Sequence, residues 1–298
     1  MGDGTTATRA TRVDDVSGIR EEVEFIGSGE RIFSTLHAPV GEPIGAVLLC
    51  SSILAELLAG YQEEVWLCRR LAERGFAVRR FHYRGTGHSD GEAEDVTFER
   101  ACEDAAAVAE HLDRETAGTD RFAFVGTRVG AMIAATLASR FPGAPTAFIE
   151  PILEGDKLFR EVGRSRFIWL SREEGSEGAP PPEDMLAILE RDRSVDVLGY
   201  RLNDRLYGSV RSQKLVDNLG AVPRPVMLVQ VGKRKAISGE NQRFLDDLAT
   251  RGFATTATAV NDEIAWWFHD TRRHLIPEIG DAIVPWLAEL LAKEGTRR

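Results

Sequence analysis

Strand-like and helix-like segments alternate along most of the chain, and this alternation restricts the fold more than any other feature of the sequence. Residues 46–50 form a continuous apolar run of strand length, and residues 65–71 then repeat apolar positions at helical spacing. Further strand-then-helix units begin at 77–83 and 122–125, and another strand-like run follows at 147–149. Repeated units of this kind predict a parallel sheet with helices on both faces.

Additional elements flank this central pattern. Alternating apolar residues at 23–26 and 32–36, separated by a Gly-Ser-Gly turn, predict an antiparallel hairpin that opens the domain. Strand-like runs at 225–231 and 255–260 and an amphipathic segment at 276–291 close it. We therefore predict an α/β fold with a mostly parallel, eight-stranded sheet.

The chain is predicted to form a single domain over residues 19–298. Residues 1–18 are rich in Thr, Ala, Arg and Asp and are expected to be a disordered tail. Strand signals are missing between residues 153 and 219, where segments of helical periodicity flank a turn-rich stretch. This stretch predicts a helical cap inserted at about 155–222.

Charge and composition favour a small-molecule partner. The formal net charge of -10 disfavours nucleic acid and anionic membranes, which both attract clustered Lys and Arg. The three cysteines form neither a CxxC pair nor a Cys/His cluster, so no metal site is expected, and a reducing cytoplasm fits best. No apolar run reaches the roughly 18 residues of a membrane span. Whether the chain forms a homodimer stays open.

A sharp turn between a strand and a helix is predicted at residues 122–131, which read Phe-Ala-Phe-Val-Gly-Thr-Arg-Val-Gly-Ala. Gly126 and Gly130 occupy the glycine positions of the Gly-x-Ser-x-Gly nucleophile elbow, where they let the backbone turn under an exposed central residue. Arg128 stands in the place of the serine.

With this elbow, the sequence resembles the α/β-hydrolase superfamily, and within it bacterial hydrolase-like proteins related to those found beside exosortase and secondary-metabolite genes. The resemblance extends to the loop at 80–89, where His82 replaces the family's aspartate, and to segments beginning at Glu150, Asp196 and Trp266. It implies the α/β-hydrolase fold with no cofactor, and it leaves the reaction open because one fold hosts many chemistries.

Arg128 is unable to act as a nucleophile. A guanidinium stays protonated and offers only donors, so it neither attacks a carbonyl nor accepts a proton. At the start of a helix, a cation is disfavoured by roughly 0.3 to 1 kcal/mol unless an anion lies nearby. Glu56, in the loop after the third strand, and Glu150, after the strand that follows the elbow helix, are the candidate anions. Either Arg128 forms a salt bridge that plugs a dead site, or it binds an anionic oxygen of a ligand.

The remaining members of a catalytic triad are incomplete. The resemblance places the acid after the strand ending at Val231, but the following side chains at 233–235 are basic. Glu150 is the substitute acid, and His269 is the histidine nearest the expected position, with His82 as a second imidazole. The alternative roles are a surface-loop histidine for His269 and an anchor of the 83–89 turn for His82.

Several further residues are candidates for substrate binding. The resemblance implies oxyanion donors in the loop carrying Ser51 and Ser52 and at the backbone of Val129. Ser51, Ser52 or Cys50 would be the alternatives for a displaced nucleophile. Larger side chains are expected to complete the site, either as the lining of a cavity under the cap or as core residues: Tyr83, Phe167, Trp169, Trp266, Trp267 and Phe268.

These features predict a cofactor-free, non-hydrolytic enzyme of bacterial natural-product biosynthesis. Acid/base chemistry and oxyanion stabilisation would act on a polycyclic or polyketide-derived substrate, through carbon-carbon bond formation, cyclisation, lyase or isomerase chemistry. The first alternative is a hydrolase or thioesterase that uses Glu150, His269 and water. The second is a catalytically silent binding protein.

Overall fold

The computed structural model describes residues 9–14, 17–116, 121–173, 182–262 and 275–293. The strands of these residues are β1 (Ala10–Asp14), β2 (Ile19–Ile26), β3 (Ile32–Pro39), β4 (Gly45–Cys50), β5 (Phe76–Phe81), β6 (Phe122–Thr127), β7 (Thr146–Ile149), β8 (Ser194–Val197), β9 (Tyr200–Asn203), β10 (Pro225–Gly232) and β11 (Ala254–Asn261). The helices are α1 (Ala55–Glu73), α2 (Phe98–Glu115), α3 (Gly130–Ala138), α4 (Gly155–Glu173), α5 (Met185–Asp192), α6 (Asp204–Arg211), α7 (Leu215–Asn218), α8 (Gly239–Thr250) and α9 (Pro277–Lys293).

The described strands form one large sheet and a separate hairpin. The sheet has the order β1-β2-β3-β5-β4-β6-β7-β10-β11, with parallel pairing from β5 to β11 and antiparallel pairing from β1 to β5. The predicted hairpin, the mostly parallel sheet and its eight predicted strands are confirmed, and the sheet contains a ninth strand that was not predicted. The ninth strand, β1, lies within the expected tail and pairs with β2 through Ala10 and Val23. Its side chains are mostly exposed, so no apolar alternation marks it in the sequence.

Two hydrophobic cores lie on the two faces of the sheet. One packs α2, α3 and part of the 155–222 segment against one face, and the other packs α1 and α9 against the opposite face. Residues of β4 alternate between these cores, with Leu48 in the first and Leu49 in the second. This alternation follows from the two-residue period of a strand and explains why the parallel strands are apolar throughout. None of the described helices combines the length and apolar character needed to cross a membrane.

The segment predicted as a helical cap contains α4 to α7 and also the antiparallel hairpin β8–β9. The expectation that it lacks strands is therefore wrong. Val195, Val197 and Leu202 point into the core from this hairpin, but each strand has only four residues. Such a short alternation gives little periodic signal in the sequence.

Helix α1 begins at Ala55, ten residues before the start of the helical periodicity recognised in the sequence. Glu56, expected in a loop, therefore lies in the first turn of α1. Buried glutamates, Glu56, Glu63 and Glu64, interrupt the apolar face of this helix and hide its first half from a search for apolar spacing.

The core below β5 contains a charged network around Arg79. This fully buried side chain pairs with Glu24 of β2, at 2.7 Å, and with Glu115 of α2. His111 of α2 lies 3.2 Å from Glu24 and 3.6 Å from Glu115. Hydrogen bonds to Glu115 and Glu24 raise the pKa of His111 to about 9. Arg79 and His111 thus face two carboxylates at neutral pH, and Arg9 adds a further contact to Glu115 at 3.5 Å.

This network predicts a loss of stability at alkaline pH. The folded pKa of His111 lies above the ordinary value, so its contribution is complete below about pH 6.5 and is lost as the pH rises through about 9. We expect the unfolding free energy to fall by about 1 kcal/mol over this range, since the group is partly exposed. Urea unfolding of the parent and of His111→Gln at pH 6, 8 and 10 tests it. Equal pH dependence in both proteins would contradict the assignment.

Candidate functional site

The turn between β6 and α3 has the geometry of a nucleophile elbow. A Cβ on Gly130 would lie 2.2 Å from the Cys50 carbonyl oxygen, and a Cβ on Gly126 would lie 2.5 Å from the Ala131 Cα. Both positions therefore require glycine. Arg128 between them has a φ of 53°, in the left-handed region that side chains other than glycine rarely adopt.

Strained backbone recurs around the carboxyl ends of neighbouring parallel strands. Leu54 after β4, Arg128 after β6 and Glu150 after β7 have φ values of 56°, 53° and 43°. Each such residue costs roughly 1 to 3 kcal/mol and persists where the surrounding structure fixes it. This clustering is typical of functional sites in open α/β sheets.

The Arg128 guanidinium is buried and fully engaged with protein groups. Its Nη2 lies 3.0 Å from Glu56 Oε1 and also contacts Glu161 of α4, while Nε lies 3.3 Å from both Glu56 oxygens. Its Nη1 donates to the backbone carbonyl of Glu150 at 3.4 Å. An anion facing Arg128 was predicted, and Glu56 is confirmed as that anion. Glu150, the other candidate anion, contributes its backbone carbonyl, and Glu161 supplies the second carboxylate.

Glu161 was missed because it belongs to the inserted segment, about thirty residues after the elbow, where sequence spacing says nothing about proximity. Burial lowers the pKa of Arg128, and the charges of Glu56 and Glu161 more than offset this, so the pKa is raised overall. The elbow therefore presents a permanent cation.

Two buried carboxylates of α1 fix the elbow to the loop after β4. Ser52 Oγ donates to Glu56 at 2.6 Å, so Glu56 joins this loop to Arg128. Glu64 accepts from Ser51 Oγ and from Thr127 Oγ1, each at 2.6 Å. Burial raises the pKa of Glu64, while these two hydrogen bonds lower it, and the net shift is upward. The role of Glu64 was missed because the predicted helix began after it.

The loop after β4 supplies no displaced nucleophile. Ser51 and Ser52 are buried and donate their hydroxyl protons to carboxylates, which corrects their predicted role as substrate-binding side chains. Cys50 is fully buried, and burial raises its pKa well above the ordinary value, so it remains a thiol. Ser51 and Ser52 therefore have a structural role: their hydrogen bonds connect the loop after β4 to helix α1.

Tyr83 and His82 also have structural contacts in place of the predicted ones. Tyr83 is 1% exposed and its hydroxyl donates to the Ser51 carbonyl at 2.9 Å, so it is a brace behind the site and not a substrate contact. His82 Nδ1 accepts from the His88 N–H at 3.0 Å, and its ring stacks on His88. Burial, Arg80 and His88 lower the pKa of His82 to about 4. The alternative role of His82, anchoring the 83–89 turn, is the one these contacts support.

Glu150 is held by the neighbouring strand. Its carboxylate accepts the Val231 N–H at 2.7 Å. Burial raises the pKa of Glu150, and the hydrogen bond to Val231 and the charge of Arg128 only partly oppose this. Glu150 is therefore a weaker acid than an ordinary glutamate, and it lies close to Arg128.

The remaining predicted site residues have different outcomes: one is buried at the elbow, two are exposed, and four lie outside the described residues. Val129 is buried directly after Arg128, and its N–H has no hydrogen-bond acceptor among the described residues, as an oxyanion donor would require. Trp169 and Phe167 are 39% and 47% exposed on α4, so they are not core residues, and their role in lining a cavity stays a prediction. His269, Trp266, Trp267 and Phe268 lie outside the described residues, and their roles stay predictions.

Among the described residues, Glu24, His111 and Glu115 bring potential metal ligands within 4.8 Å of one another. Arg79 donates to both carboxylates of this group. A metal ion would have to displace a buried guanidinium, so the group fits an ion-pair network better than a metal centre.

Comparisons with known proteins agree with this architecture. Residues 41–162 match the family described as serine aminopeptidase, S33. Est1E from Butyrivibrio proteoclasticus, solved with ferulic acid, is 15% identical with a TM-score of 0.62 over 90% of this chain and 99% of that one. An esterase from Pyrococcus furiosus is 11% identical with a TM-score of 0.60 over 98% and 99%. The chain has the α/β-hydrolase fold.

An S-formylglutathione hydrolase from Agrobacterium tumefaciens shares this α/β-hydrolase fold at 17% identity, with a TM-score of 0.54 over 95% of this chain and 98% of that one. No curated protein matches the chain. In this α/β-hydrolase fold the strands β2 to β11 of the large sheet form the expected eight, and β1 is an addition at the edge.

The buried pair of Arg128 and Glu56 predicts a large cost of removing one partner. Arg128→Met would leave the Glu56 carboxylate buried without its cation, so we expect a loss of about 3 to 5 kcal/mol in unfolding free energy. Arg128→Met combined with Glu56→Gln should recover a large part of that loss. Urea denaturation measures both, with Arg191→Met, which breaks exposed pairs, as a control. Equal effects of Arg128→Met and the control would contradict this account.

Proposed function

We propose that this chain is a cofactor-free, non-hydrolytic enzyme that binds an anionic oxygen of a small hydrophobic or aromatic substrate at Arg128. The observation that carries the proposal is the unequal burial of the two carboxylates on this guanidinium. The Glu56 side chain is 6% exposed, whereas the Glu161 side chain is 31% exposed. One partner is fixed, and solvent reaches the other.

The fixed partner cannot easily be exchanged. Glu56 contacts Nε and Nη2 of Arg128 and also accepts the Ser52 hydroxyl, so replacing it would break several buried hydrogen bonds. Glu161 stands on the helix of the inserted segment and binds only through Nη2 among the contacts of Arg128 described above. A carboxylate, phenolate or enolate oxygen of a substrate would take the place of Glu161 without changing the charge balance of the site.

The released Glu161 carboxylate would then act as a base. It accepts a proton from the substrate carbon next to the group held by Arg128, so the C–H bond breaks, its electron pair is delocalised into that group, and the negative charge facing the guanidinium increases. The guanidinium stabilises this charge through its permanent positive charge and its hydrogen-bond donors. Base-initiated lyase, isomerase, cyclisation and carbon-carbon bond-forming reactions begin with such a step, and the resemblance to secondary-metabolism proteins favours a polyketide-derived substrate.

The strained elbow supports a working site over a plugged one. Arg128 and Glu150 retain costly left-handed backbone, which a residue serving only as a plug would not need. A second candidate is a hydrolase that activates water through Glu150 and His269, and the raised pKa of Glu150 favours it. A catalytically silent binding protein is the third candidate, and turnover by the parent protein would exclude it.

Acyl-enzyme chemistry is expected to be absent. We predict that a fluorophosphonate probe does not label the protein and that short acyl esters are not turned over, because no hydroxyl or thiol replaces the serine at the elbow. Intact-mass measurement and an ester assay, with a serine esterase as positive control, test this. Labelling at any residue would overturn the non-hydrolytic proposal, and ester turnover without labelling would favour the Glu150 hydrolase.

The Arg128→Ser variant belongs to the same test. We expect it to remain a poor esterase, because Glu56 and Glu161 would lose their cation beside the new hydroxyl and the loop at 233–235 carries no acid. Efficient ester hydrolysis by this variant would show that a complete acid and histidine are already in place.

The exchange at Arg128 predicts that Glu161 competes with ligand anions. With 2-naphthoate as a probe, Glu161→Gln should bind about tenfold more tightly than the parent, since a neutral amide competes less well for the guanidinium. Glu190→Gln, an exposed change on α5, is the matched control and should bind like the parent. Calorimetric titration measures the affinities. Weaker binding to Glu161→Gln than to the parent, or no binding to either, would refute the exchange.

A further inference from the structure

A second buried arginine, on the opposite face of the sheet from Arg79, differs from it in its partners. Arg79 and Arg80 are consecutive residues of β5, with exposures of 0% and 6%. Arg79 pairs with two carboxylates. Arg80 donates from Nε to His37 Nε2 at 3.3 Å and from Nη2 to the Tyr61 hydroxyl at 2.8 Å, and no carboxylate of the described residues lies within ion-pair distance of it.

The missing counter-ion makes Arg80 unusual. A buried charge is costly unless an opposite charge compensates it, and Arg is rarely buried without a partner. The guanidinium also lies over the Tyr61 ring, 4.4 Å from its centroid, and this contact offsets part of the cost without neutralising the charge. Nη1 of Arg80 makes no hydrogen bond to the residues that the structure describes.

Arg80 lies in the wall of a cavity of about 420 Å³ between the sheet and α1. Arg12 of β1 and Arg69 of α1 add cationic groups to the wall, and Val23, Phe33 and Val65 add apolar surface. The cavity thus combines basic and apolar walls, as in sites that bind an anionic group attached to a hydrophobic one.

The charges around the cavity leave an excess of positive charge. Glu21 is the carboxylate in its wall, and its oxygens accept from His37 Nδ1 at 2.9 Å and from Arg69 Nε at 2.8 Å. His37 donates from Nδ1 and accepts at Nε2, so it is the neutral tautomer, and burial lowers its pKa. Three arginines against one carboxylate leave two net positive charges, in a chain whose formal net charge is -10.

The other nearby acid does not form an ion pair with Arg80. Glu64, on the same helix as Tyr61, is buried and accepts hydrogen bonds from Ser51 and Thr127 at the elbow side. The charge of Arg80 lowers the pKa of Glu64, but burial raises it by more. Among the described residues, Arg80 therefore has no carboxylate at ion-pair distance, and Glu64 compensates its charge only from further away.

We propose that this cavity binds a small phosphate monoester, with the phosphate against Arg80 and Arg12 and its organic group against Phe33, Val23 and the Tyr61 ring. Guanidinium groups present paired donors that match phosphate oxygens, and two net positive charges match a phosphate dianion. The site is separate from Arg128, because it is built from β1, β2, β3, β5 and the outward side of α1. It does not depend on the proposed reaction.

Calorimetric titration with phenyl phosphate at low ionic strength tests the site. We expect binding by the parent, at least tenfold weaker binding by Arg80→Gln, and a smaller loss in Arg12→Gln. Arg243→Gln, an exposed arginine on α8, is the matched control and should bind like the parent. Glu161→Gln should also leave the phenyl phosphate affinity unchanged, which separates this site from the one at Arg128.

Other probes define the chemistry of the ligand. Inorganic phosphate is expected to bind more weakly than phenyl phosphate, and phenol is expected not to bind. Benzoate binding more tightly than phenyl phosphate would overturn the phosphate assignment. No binding of phenyl phosphate at millimolar concentration, or equal binding by Arg80→Gln, would overturn the site. If circular dichroism shows that Arg80→Gln does not fold, Val23→Phe replaces it in the titration, because the larger ring fills the apolar side of the cavity. Phenyl phosphate binding by Val23→Phe equal to that of the parent would then overturn the site.

Discussion

The two carboxylates that α1 places behind the elbow are the contacts on which the rest of the site depends. Glu56 joins Ser52 to Arg128, and Glu64 joins Ser51 to Thr127, so each acid ties one residue of the β4 loop to one residue of the elbow. A carboxylate is stable in a buried position only when its oxygens accept hydrogen bonds or pair with a cation. The arrangement therefore keeps the strained elbow in place although its central residue, Arg128, is unable to act as a nucleophile.

Much of the fold was accessible from sequence, because parallel strands and amphipathic helices carry periodic signals. The elbow was equally clear, since Gly126 and Gly130 must be glycine for steric reasons. Only one of the two carboxylate partners of Arg128 could be predicted from the sequence. Glu56 follows the expected strand closely, whereas Glu161 comes from an insertion whose path over the sheet depends on tertiary packing. Strand β1 was missed for a different reason, because backbone pairing and not apolar burial holds it.

Arg79, Arg80 and Arg128 show why residue type alone does not determine a role. All three are buried arginines: Arg79 and Arg80 lie on β5, and Arg128 follows β6, a parallel strand separated from β5 by β4. Arg79 closes a charged network, Arg128 is shared between a fixed and a partly exposed carboxylate, and Arg80 has polar but uncharged neighbours. The three arginines differ in their charged partners. These partners depend on which helix packs over the strand and on whether that helix carries an acidic side chain close enough to the guanidinium.

The edge strand β1 forms one rim of the cavity at Arg80, yet four of its five residues are exposed and it is held through main-chain pairing with β2. Its side chains can therefore be exchanged without disturbing either hydrophobic core. Natural variation in this strand is therefore expected to change the shape and charge of this rim while leaving stability nearly constant.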